Sequence, residues 1–367
     1  MDGAPLSPPP TMPPLSGRGA PSNQPPQRFG LAERVADGDW LDAREEVDGG
    51  PPKLRTQVTV EHPRTIIARN TSPDIAFDRS INSYRGCEHG CIYCYARPTH
   101  AFLDLSPGLD FETKLFAKPE AAALLRKELS APGYTPAPLA IGTNTDGYQP
   151  VEREWGITRS VIEVLAETRH PLIVTTKSDR LLHDIDLLAD MAKDGLVAVA
   201  ISVTTLDGAL ARTLEPRAPR PDKRLKAIEA LAHAGVPVQV NVSPVIPAIT
   251  DHEIERILGA AASAGAYRAS YILLRLPHEV APLFRAWLDA HFPDRAAKVM
   301  GIVQDMRGGR DNDSDFGSRM KGKGVWADLI RTRFKRAARI YGLDTRAQMP
   351  RSDLFVRPER DGQMRLL

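Results

Sequence analysis

The sequence predicts an α/β protein made of six successive βα units, and three observations support this prediction. Short β-branched apolar runs alternate with amphipathic stretches over much of the chain. Each apolar run is continuous rather than alternating, as expected of parallel strands that are covered on both faces. The runs recur at roughly 25 to 40 residues, the spacing of βα units. Right-handed crossovers of this kind give either a doubly wound sheet or a barrel, whole or partial.

The predicted strands follow one another from residue 79 to residue 277. The first lies in RSINSYRG (79–86), at the start of the cysteine-containing part of the chain. The other five share a β-branched apolar character and are PLAIGTNT (138–145), PLIVTT (171–176), VAVAISVTT (197–205), VPVQVNVSP (236–244) and ASYILLRLP (269–277). Both candidate architectures bind ligands at the carboxyl ends of the strands, so the loop after the first strand is expected in the functional site.

Amphipathic stretches between the strands predict the crossover helices. These stretches are ITRSVIEVLAET (157–168), SDRLLHDIDLLADMAKDG (178–195), PDKRLKAIEALAHAG (221–235) and TDHEIERILGAAASAG (250–265). Two of them open on residues that commonly cap helices, Ser178 and Thr250. Three of them close on a glycine, the residue preferred just after a helix: Gly195, Gly235 and Gly265.

Composition divides the chain into three parts. Nine of the first thirty residues are proline, and this stretch carries too little apolar surface to offset the entropy of ordering it. We therefore expect a mostly disordered leader at 1–55, a core domain at 56–300 and a basic extension at 301–367. The sequence has neither a signal-peptide pattern nor an apolar run of the roughly 18 to 20 residues that span a bilayer, which predicts a soluble, cytoplasmic protein without membrane contact.

All three cysteines of the 367-residue chain lie in RGCEHGCIYCYAR (85–97). Cys87, Cys91 and Cys94 have the spacing C-x3-C-x2-C, so one loop can wrap three thiolates around a single inorganic centre. Structural zinc sites and electron-transfer [4Fe–4S] centres normally use four protein ligands, whereas three thiolates on a cubane leave one iron open. A structural zinc site in a nucleic-acid-binding protein, a redox-sensing thiol cluster and an iron–sulfur electron carrier are the alternatives.

This cysteine pattern, with the aromatic Tyr93 directly before Cys94, resembles the signature of the radical S-adenosylmethionine (radical SAM) superfamily. The resemblance implies a partial (β/α)6 barrel whose signature follows the first strand, as it does here. It also implies a [4Fe–4S] cluster on the three cysteines, with S-adenosylmethionine on the open iron. An electron from a flavodoxin- or ferredoxin-type reductant would cleave this cofactor to a 5′-deoxyadenosyl radical that abstracts substrate hydrogen.

Within the superfamily, GCEHGCIYCYAR together with TNTDGYQPVE (143–152) and IVTTKS (173–178) resembles the spore photoproduct lyase-like branch. That lyase donates a hydrogen atom from a cysteine near its second strand, where this chain has Thr143. Since every cysteine of the chain belongs to the signature, we do not expect it to be a true spore photoproduct lyase. Tyr95 matches a tyrosine of that enzyme and is the candidate catalytic residue, as hydrogen donor.

The resemblance also assigns cofactor contacts to the ends of later strands. Besides Tyr93, polar residues after the second strand would contact the amino group and ribose of the cofactor: Thr143, Asn144, Thr145 and Asp146, with Glu152 as a further candidate. Lys177, after the third strand, would bind its carboxylate, and Ser202 and Thr204 would bind its ribose. A turn role for Asn144 and Asp146 is the alternative. Weaker candidates for substrate or cofactor are Glu215, Arg217, Asn241, Ser243 and Arg275.

Residues 305–339 are locally basic, with ten Lys or Arg against five Asp or Glu, in a chain whose formal net charge is only +2. The near-balanced total argues against binding nucleic acid or membranes through overall charge. The basic loop and the branch resemblance together favour a nucleic-acid substrate bound through 307–339. The alternative is a helix that packs Leu329, Phe334, Ala337 and Ile340 inward and leaves its basic face in water.

Overall fold

The structure, a computed structural model, describes residues 17–24 and 54–359. Its strands are β1 (Gln57–Val60), β2 (Ile67–Arg69), β3 (Arg79–Ile81), β4 (Tyr84–Arg85), β5 (Lys114–Ala117), β6 (Leu139–Ile141), β7 (Leu172–Thr176), β8 (Val197–Ser202), β9 (Val238–Val245) and β10 (Arg268–Leu273). Its α-helices are α1 (Leu109–Thr113), α2 (Ala121–Leu129), α3 (Glu152–Trp155), α4 (Ile157–Glu167), α5 (Ile185–Lys193), α6 (Gly208–Leu214), α7 (Pro221–His233), α8 (Ile254–Ser263), α9 (Val280–His291), α10 (Pro293–Asp305) and α11 (Gly324–Ile340). Short 3-10 helices lie at Arg97–Leu103, Asp179–Asp184 and Asp251–Glu253.

The main sheet has the strand order β10-β9-β8-β7-β6-β3-β2. Its neighbours from β3 to β10 all pair in parallel, and β2 runs antiparallel to β3. The side chains of β8 are buried at five of six positions, because helices cover the sheet as the continuous apolar runs predicted. All six predicted strands are present, and the open sheet of six parallel strands confirms the partial (β/α)6 barrel.

The crossover helices begin and end close to the predicted residues. Ser178 caps the 3-10 turn before α5, since its side chain accepts a hydrogen bond from the Arg180 amide. The prediction that Thr250 caps the helix that follows it is wrong. The Thr250 hydroxyl accepts instead from the Ile246 amide, 2.9 Å away. The glycines after these helices have positive φ values, 67° at Gly195, 77° at Gly235 and 91° at Gly265, the backbone region that favours glycine.

The C-terminal basic helix packs as the alternative proposed, although with a different apolar face. Phe334 and Ala337 of α11 are buried, whereas Leu329 and Ile340 are 47% and 67% exposed. The inward face is completed instead by Ala327, Ile330 and Ala338. No helix of the described residues is long and apolar enough to cross a membrane.

Two features near the cysteines were not predicted. A small sheet of order β1-β5-β4 lies beside the main one, built from segments too short to stand out as strands in the sequence. Residues 17–24 also pack on the protein, with Arg18 and Ala20 buried. This segment differs from the expected disordered leader, and residues 1–16 and 25–53 of that leader lie outside the described residues.

Candidate cofactor site

The cysteine loop follows β3 and β4, at the carboxyl edge of the parallel sheet. Cys87 and Cys91 are buried, Cys94 is partly exposed, and none of them forms a disulfide. Burial is the main cause that raises the pKa of Cys87 and Cys91, that of Cys91 to about 12, and the neighbouring thiols add to the rise at Cys87. Two buried thiols and a third, partly exposed one that interacts with them electrostatically fit an inorganic centre, because bound cations are what convert such thiols into thiolates.

Single-ion geometry is absent from the part of the chain that the structure describes: no three His, Cys, Asp or Glu side chains there are grouped so that they could hold one metal ion. A cubane makes a different demand on its protein ligands. It binds each thiolate through a different iron, so its three cysteines need not converge on one point.

Arg97, at the end of the cysteine loop, fixes the backbone of that loop. Its guanidinium is fully buried and donates to the carbonyl oxygens of Cys91, at 2.9 Å, and Gly90, at 3.1 Å. The same guanidinium makes a buried ion pair of 2.5 Å with Glu112. Neither Arg97 nor Glu112 can be recognised from the sequence, because their partners are backbone carbonyls and residues outside the cysteine motif.

The loop after β6 supports the cysteine loop from another side. Thr145 Oγ1 donates to the carbonyl oxygen of Gly86 at 2.6 Å, and Gln149 Nε2 donates to Thr145 Oγ1 at 2.9 Å. Gln149 Oε1 in turn accepts from the amide of Glu88 at 2.8 Å. Thr145 therefore has a structural partner in the cysteine loop, and Gln149 is a buried positioning residue that the sequence did not reveal.

Asp146 joins the ends of two strands to the cysteine loop. Its carboxylate accepts from Thr176 Oγ1 at 2.6 Å and from the Lys177 amide at 2.9 Å, and it lies 3.3 Å from His89 Nδ1. Burial alone would raise the pKa of Asp146, but the charge and hydrogen bond of His89 and the bonds from Thr176 and Lys177 hold it well below its ordinary value. It also accepts from the Tyr148 amide, so the turn role is present as well.

Tyr93 belongs to a buried polar network at the carboxyl end of β8. Its hydroxyl donates to Glu215, which also lies 2.7 Å from Thr204 Oγ1 and forms a buried ion pair with Arg224. Burial would raise the pKa of Glu215, but Arg224 and Lys177 hold it at about 2. This network gives Tyr93 and Thr204 partners within the protein and identifies Glu215 as the residue that links them.

Lys177 is half-buried beside the cysteine loop. Its Nζ lies 5.8 Å from the centroid of the Tyr93 ring and, among the described residues, makes no hydrogen bond or ion pair. Burial would lower the pKa of Lys177, but the nearby Cys91 and Glu215 groups raise it. The result is a charged ammonium next to the cysteines with its hydrogen-bonding capacity available to a ligand.

The remaining predicted residues lie at the same edge of the sheet. Asn144 is exposed, while Thr143 Oγ1 donates to Asn82 Oδ1 at 3.1 Å. The Tyr95 hydroxyl donates to the carbonyl oxygen of Thr143, and Tyr95 is 48% exposed. Ser202 is buried at the end of β8. Glu152 was a further candidate for a cofactor contact, but its carboxylate accepts a hydrogen bond from the Thr158 amide at 2.8 Å.

The protein is an α/β protein with three thiols on one loop at the carboxyl edge of an open parallel sheet. A charged lysine lies beside these thiols, and this arrangement is typical of a cofactor site. A profile of the radical SAM superfamily matches residues 81–261. An uncharacterised protein of Mycobacterium tuberculosis H37Rv is 38% identical over 242 residues, which cover 65% of this chain and 71% of that protein. An uncharacterised protein of Methanocaldococcus jannaschii is 25% identical over 215 residues, 58% of this chain and 76% of that protein. The chain belongs to the radical SAM superfamily.

Solved structures with a similar fold are those of spore photoproduct lyase. Its complex with dinucleoside spore photoproduct has a TM-score of 0.55 and 16% identity, covering 77% of this chain and 79% of that one. A variant with bound AdoMet and dinucleoside spore photoproduct has a TM-score of 0.55 and 14% identity, covering 83% and 92%. This likeness confirms the fold, and superfamily membership implies an enzyme of SAM-dependent radical chemistry.

Proposed function

We propose that this protein is a radical SAM enzyme that binds one [4Fe–4S] cluster through Cys87, Cys91 and Cys94. The observation that carries the proposal is a single loop with three thiols, two of them buried, in a chain that has no other cysteine. When bound and reduced by a flavodoxin- or ferredoxin-type partner, such a cluster supplies the electron that cleaves S-adenosylmethionine, and the resulting radical abstracts hydrogen from the substrate.

The residues around the loop bind and orient the cofactor. Lys177 offers its ammonium to a carboxylate, and Asp146 holds the Lys177 backbone through the 2.9 Å bond to its amide. Thr143 and Asn144 present polar groups at the same edge. Tyr93 and Thr204, held by Glu215, and the buried Ser202 form the wall at the end of β8.

Tyr95 is the proposed hydrogen donor. It follows Cys94 directly, its hydroxyl is held by the carbonyl oxygen of Thr143, and the Arg275 guanidinium lies 5.7 Å from the centroid of its ring. A phenol placed beside the site can return a hydrogen atom to a substrate radical: its O–H bond breaks, a C–H bond forms on the substrate, and the tyrosyl radical that remains is restored by one electron from the reductant and one proton. The chain has no spare thiol for this role.

The substrate that we propose is a nucleic acid, bound through 307–339. Arg275 supports this proposal, because its guanidinium lies against Tyr95, the residue after Cys94, and its Nε is buried without a hydrogen-bond partner among the described residues. Its neighbour Arg319 is instead paired with Asp74 at 2.6 and 2.7 Å. Arg275 is therefore a cation at the site whose guanidinium has no carboxylate partner among the described residues, and an anionic group such as a phosphate would supply one. In the loop itself Arg310, Lys321 and Lys323 are exposed.

The basic helix α11 contributes less to this surface than its charge suggests. Arg333 forms an ion pair with Glu255 at 2.7 Å, and Arg331 pairs with Asp328. Within 307–339, the exposed cationic side chains of the loop are thus the ones expected to contact phosphates, and Arg275, which lies outside this range, adds a cation beside them.

Metal analysis of protein purified without oxygen tests the cluster. About four irons and four sulfides per chain are expected after anaerobic reconstitution, with the brown colour of an iron–sulfur protein. A colourless protein that holds zinc would contradict the proposal and favour a structural zinc site. A protein that holds a cluster but does not cleave S-adenosylmethionine would instead be an electron carrier.

A further inference from the structure

Residues 17–24, here named the N-terminal strap, lie directly against the cysteine loop. A Cβ atom at Gly19 would be only 1.8 Å from the carbonyl oxygen of Gly90, so the two backbones touch at a position that only glycine allows. Ala20 is 1% exposed and belongs to the same apolar cluster as Cys91 and Ile92. The strap is thus packed against the backbone of Gly90, directly before the second cysteine, and shares an apolar cluster with Cys91 and Ile92.

One buried carboxylate connects the strap to the loop. Glu112 accepts from the amide of Gly19 at 2.9 Å and from the amide of Ala20 at 2.8 Å. The same carboxylate accepts from Arg97 at 2.5 Å, and Arg97 donates to the carbonyl oxygens of Gly90 and Cys91. A continuous chain of charge-assisted hydrogen bonds therefore runs from the strap to the backbone of Cys91.

Both ends of the strap are also anchored. Arg18 donates to the carbonyl oxygens of Glu112, at 3.0 Å, and Leu54, at 2.6 Å. At the other end, Asn23 and Asp110 exchange two hydrogen bonds of 2.9 and 3.0 Å. These contacts hold the strap in one register along the cysteine loop.

We propose that the strap is a positioning element of the cofactor site, in which residues 18–20 hold the backbone of Gly90 and Cys91 so that the Cys91 thiol stays in place for its iron. The inference rests on the proposed cluster. A ligand's direction is set by its own backbone and by the groups that hold it, and loss of such supporting contacts weakens metal binding.

The test is Gly19→Ala in the full chain, with Gly133→Ala as control because nothing lies within 4 Å of a Cβ at Gly133. Both proteins are reconstituted anaerobically, and the release of iron to a chelator is followed by absorbance, with the paramagnetic resonance of the reduced cluster as a second signature. We expect Gly19→Ala to lose iron about tenfold faster than the unaltered chain or more. The control is expected to match the unaltered chain.

Glu112→Gln provides a second variant in case Gly19→Ala does not fold, because it keeps the side-chain shape while weakening the bond to Arg97. Thermal unfolding of the iron-free proteins separates a general loss of stability from a local effect on the site. If every variant that folds releases iron at the rate of the unaltered chain and gives the same resonance signal, the positioning role of the strap is wrong. The proposed cluster would be unaffected by that result. If the unaltered chain takes up no iron, the proposed cluster is wrong, and the positioning role of the strap is wrong with it.

Discussion

Glu215 and Arg224 form an ion pair in which each side chain is only 1% exposed. Glu215 also accepts the hydrogen bond of the Tyr93 hydroxyl, and Arg224 donates to the carbonyl oxygen of Ser202 at 3.1 Å. Because Tyr93 lies between two of the cysteines, the pair connects the cysteine loop to the carboxyl end of β8.

Glu215→Gln is expected to lower the free energy of unfolding by about 3 to 5 kcal/mol, because it leaves the buried Arg224 charge without its partner. Urea denaturation of the iron-free protein measures this. Asp222→Asn is the matched control, since Asp222 pairs with Arg220 on the surface, where the side chains are 55% and 65% exposed, and such pairs contribute at most about 1 kcal/mol. Equal effects of the two changes would contradict the assignment of Glu215 as an anchor.

Lys177→Met is expected to weaken the binding of S-adenosylmethionine to the reconstituted protein by about 10- to 100-fold, the value of one charge-assisted hydrogen bond. Equilibrium dialysis with labelled cofactor measures the change. Lys193→Met is the control, because the Lys193 side chain is 75% exposed and pairs with Asp190 on the surface. Unchanged cofactor affinity in Lys177→Met would remove this residue from the site.

Stability should fall between about pH 4.5 and pH 7 through Glu152. Burial raises the pKa of this carboxyl from its ordinary value of 4.5 to about 7, despite the hydrogen bonds it accepts from Tyr84 and from the amides of Arg159 and Thr158. The folded state thus holds a proton that the unfolded state releases, so this contribution is complete below pH 4.5 and is lost as the pH rises through 7.

Urea denaturation across this pH range, with Glu152→Gln beside the unaltered chain, isolates that contribution. The difference between the two proteins in the free energy of unfolding should change by about 3 kcal/mol over the window, because the pKa is raised from 4.5 to about 7 and each unit corresponds to about 1.4 kcal/mol. Parallel stability curves for the two proteins would show that Glu152 does not titrate in this way.

Arg275→Ala is expected to weaken binding to a single-stranded oligonucleotide and to lower the slope of log affinity against log salt by about one, the effect of losing one phosphate contact. Fluorescence anisotropy at several salt concentrations measures both. Arg351→Ala is the control, because Arg351 pairs with Asp353 on the surface. If the unaltered chain binds neither DNA nor RNA, the nucleic-acid proposal fails. If it binds and Arg275→Ala leaves the slope unchanged, only the role of Arg275 fails.

The fold could be predicted because its signals are local. Continuous apolar runs mark β6 to β10, and the spacing of Cys87, Cys91 and Cys94 stands out within eight residues. The supports of the cysteine loop could not be found in this way. Arg97, Glu112 and Gln149 act on backbone atoms or on residues distant in sequence, and such pairings leave no periodic pattern.

The strap was missed for a related reason. The proline-rich composition of residues 1–55 is an average over the whole leader, and it conceals a short segment held by backbone amides and by two polar side chains. Thr250 shows the opposite error: its residue type predicts a helix cap, but its hydroxyl accepts a hydrogen bond from the Ile246 amide instead. Specific contacts of individual residues determine both outcomes, and the local sequence does not reveal those contacts.

The release of 5′-deoxyadenosine from S-adenosylmethionine, by the anaerobically reconstituted and chemically reduced protein, tests the central claim most directly. We expect release by the unaltered chain and by a control such as Gly133→Ala. We expect none from Cys91→Ala, which lacks one of the three thiolates. Release that persists in Cys91→Ala, or that is absent from an unaltered chain carrying a full complement of iron and sulfide, would contradict it.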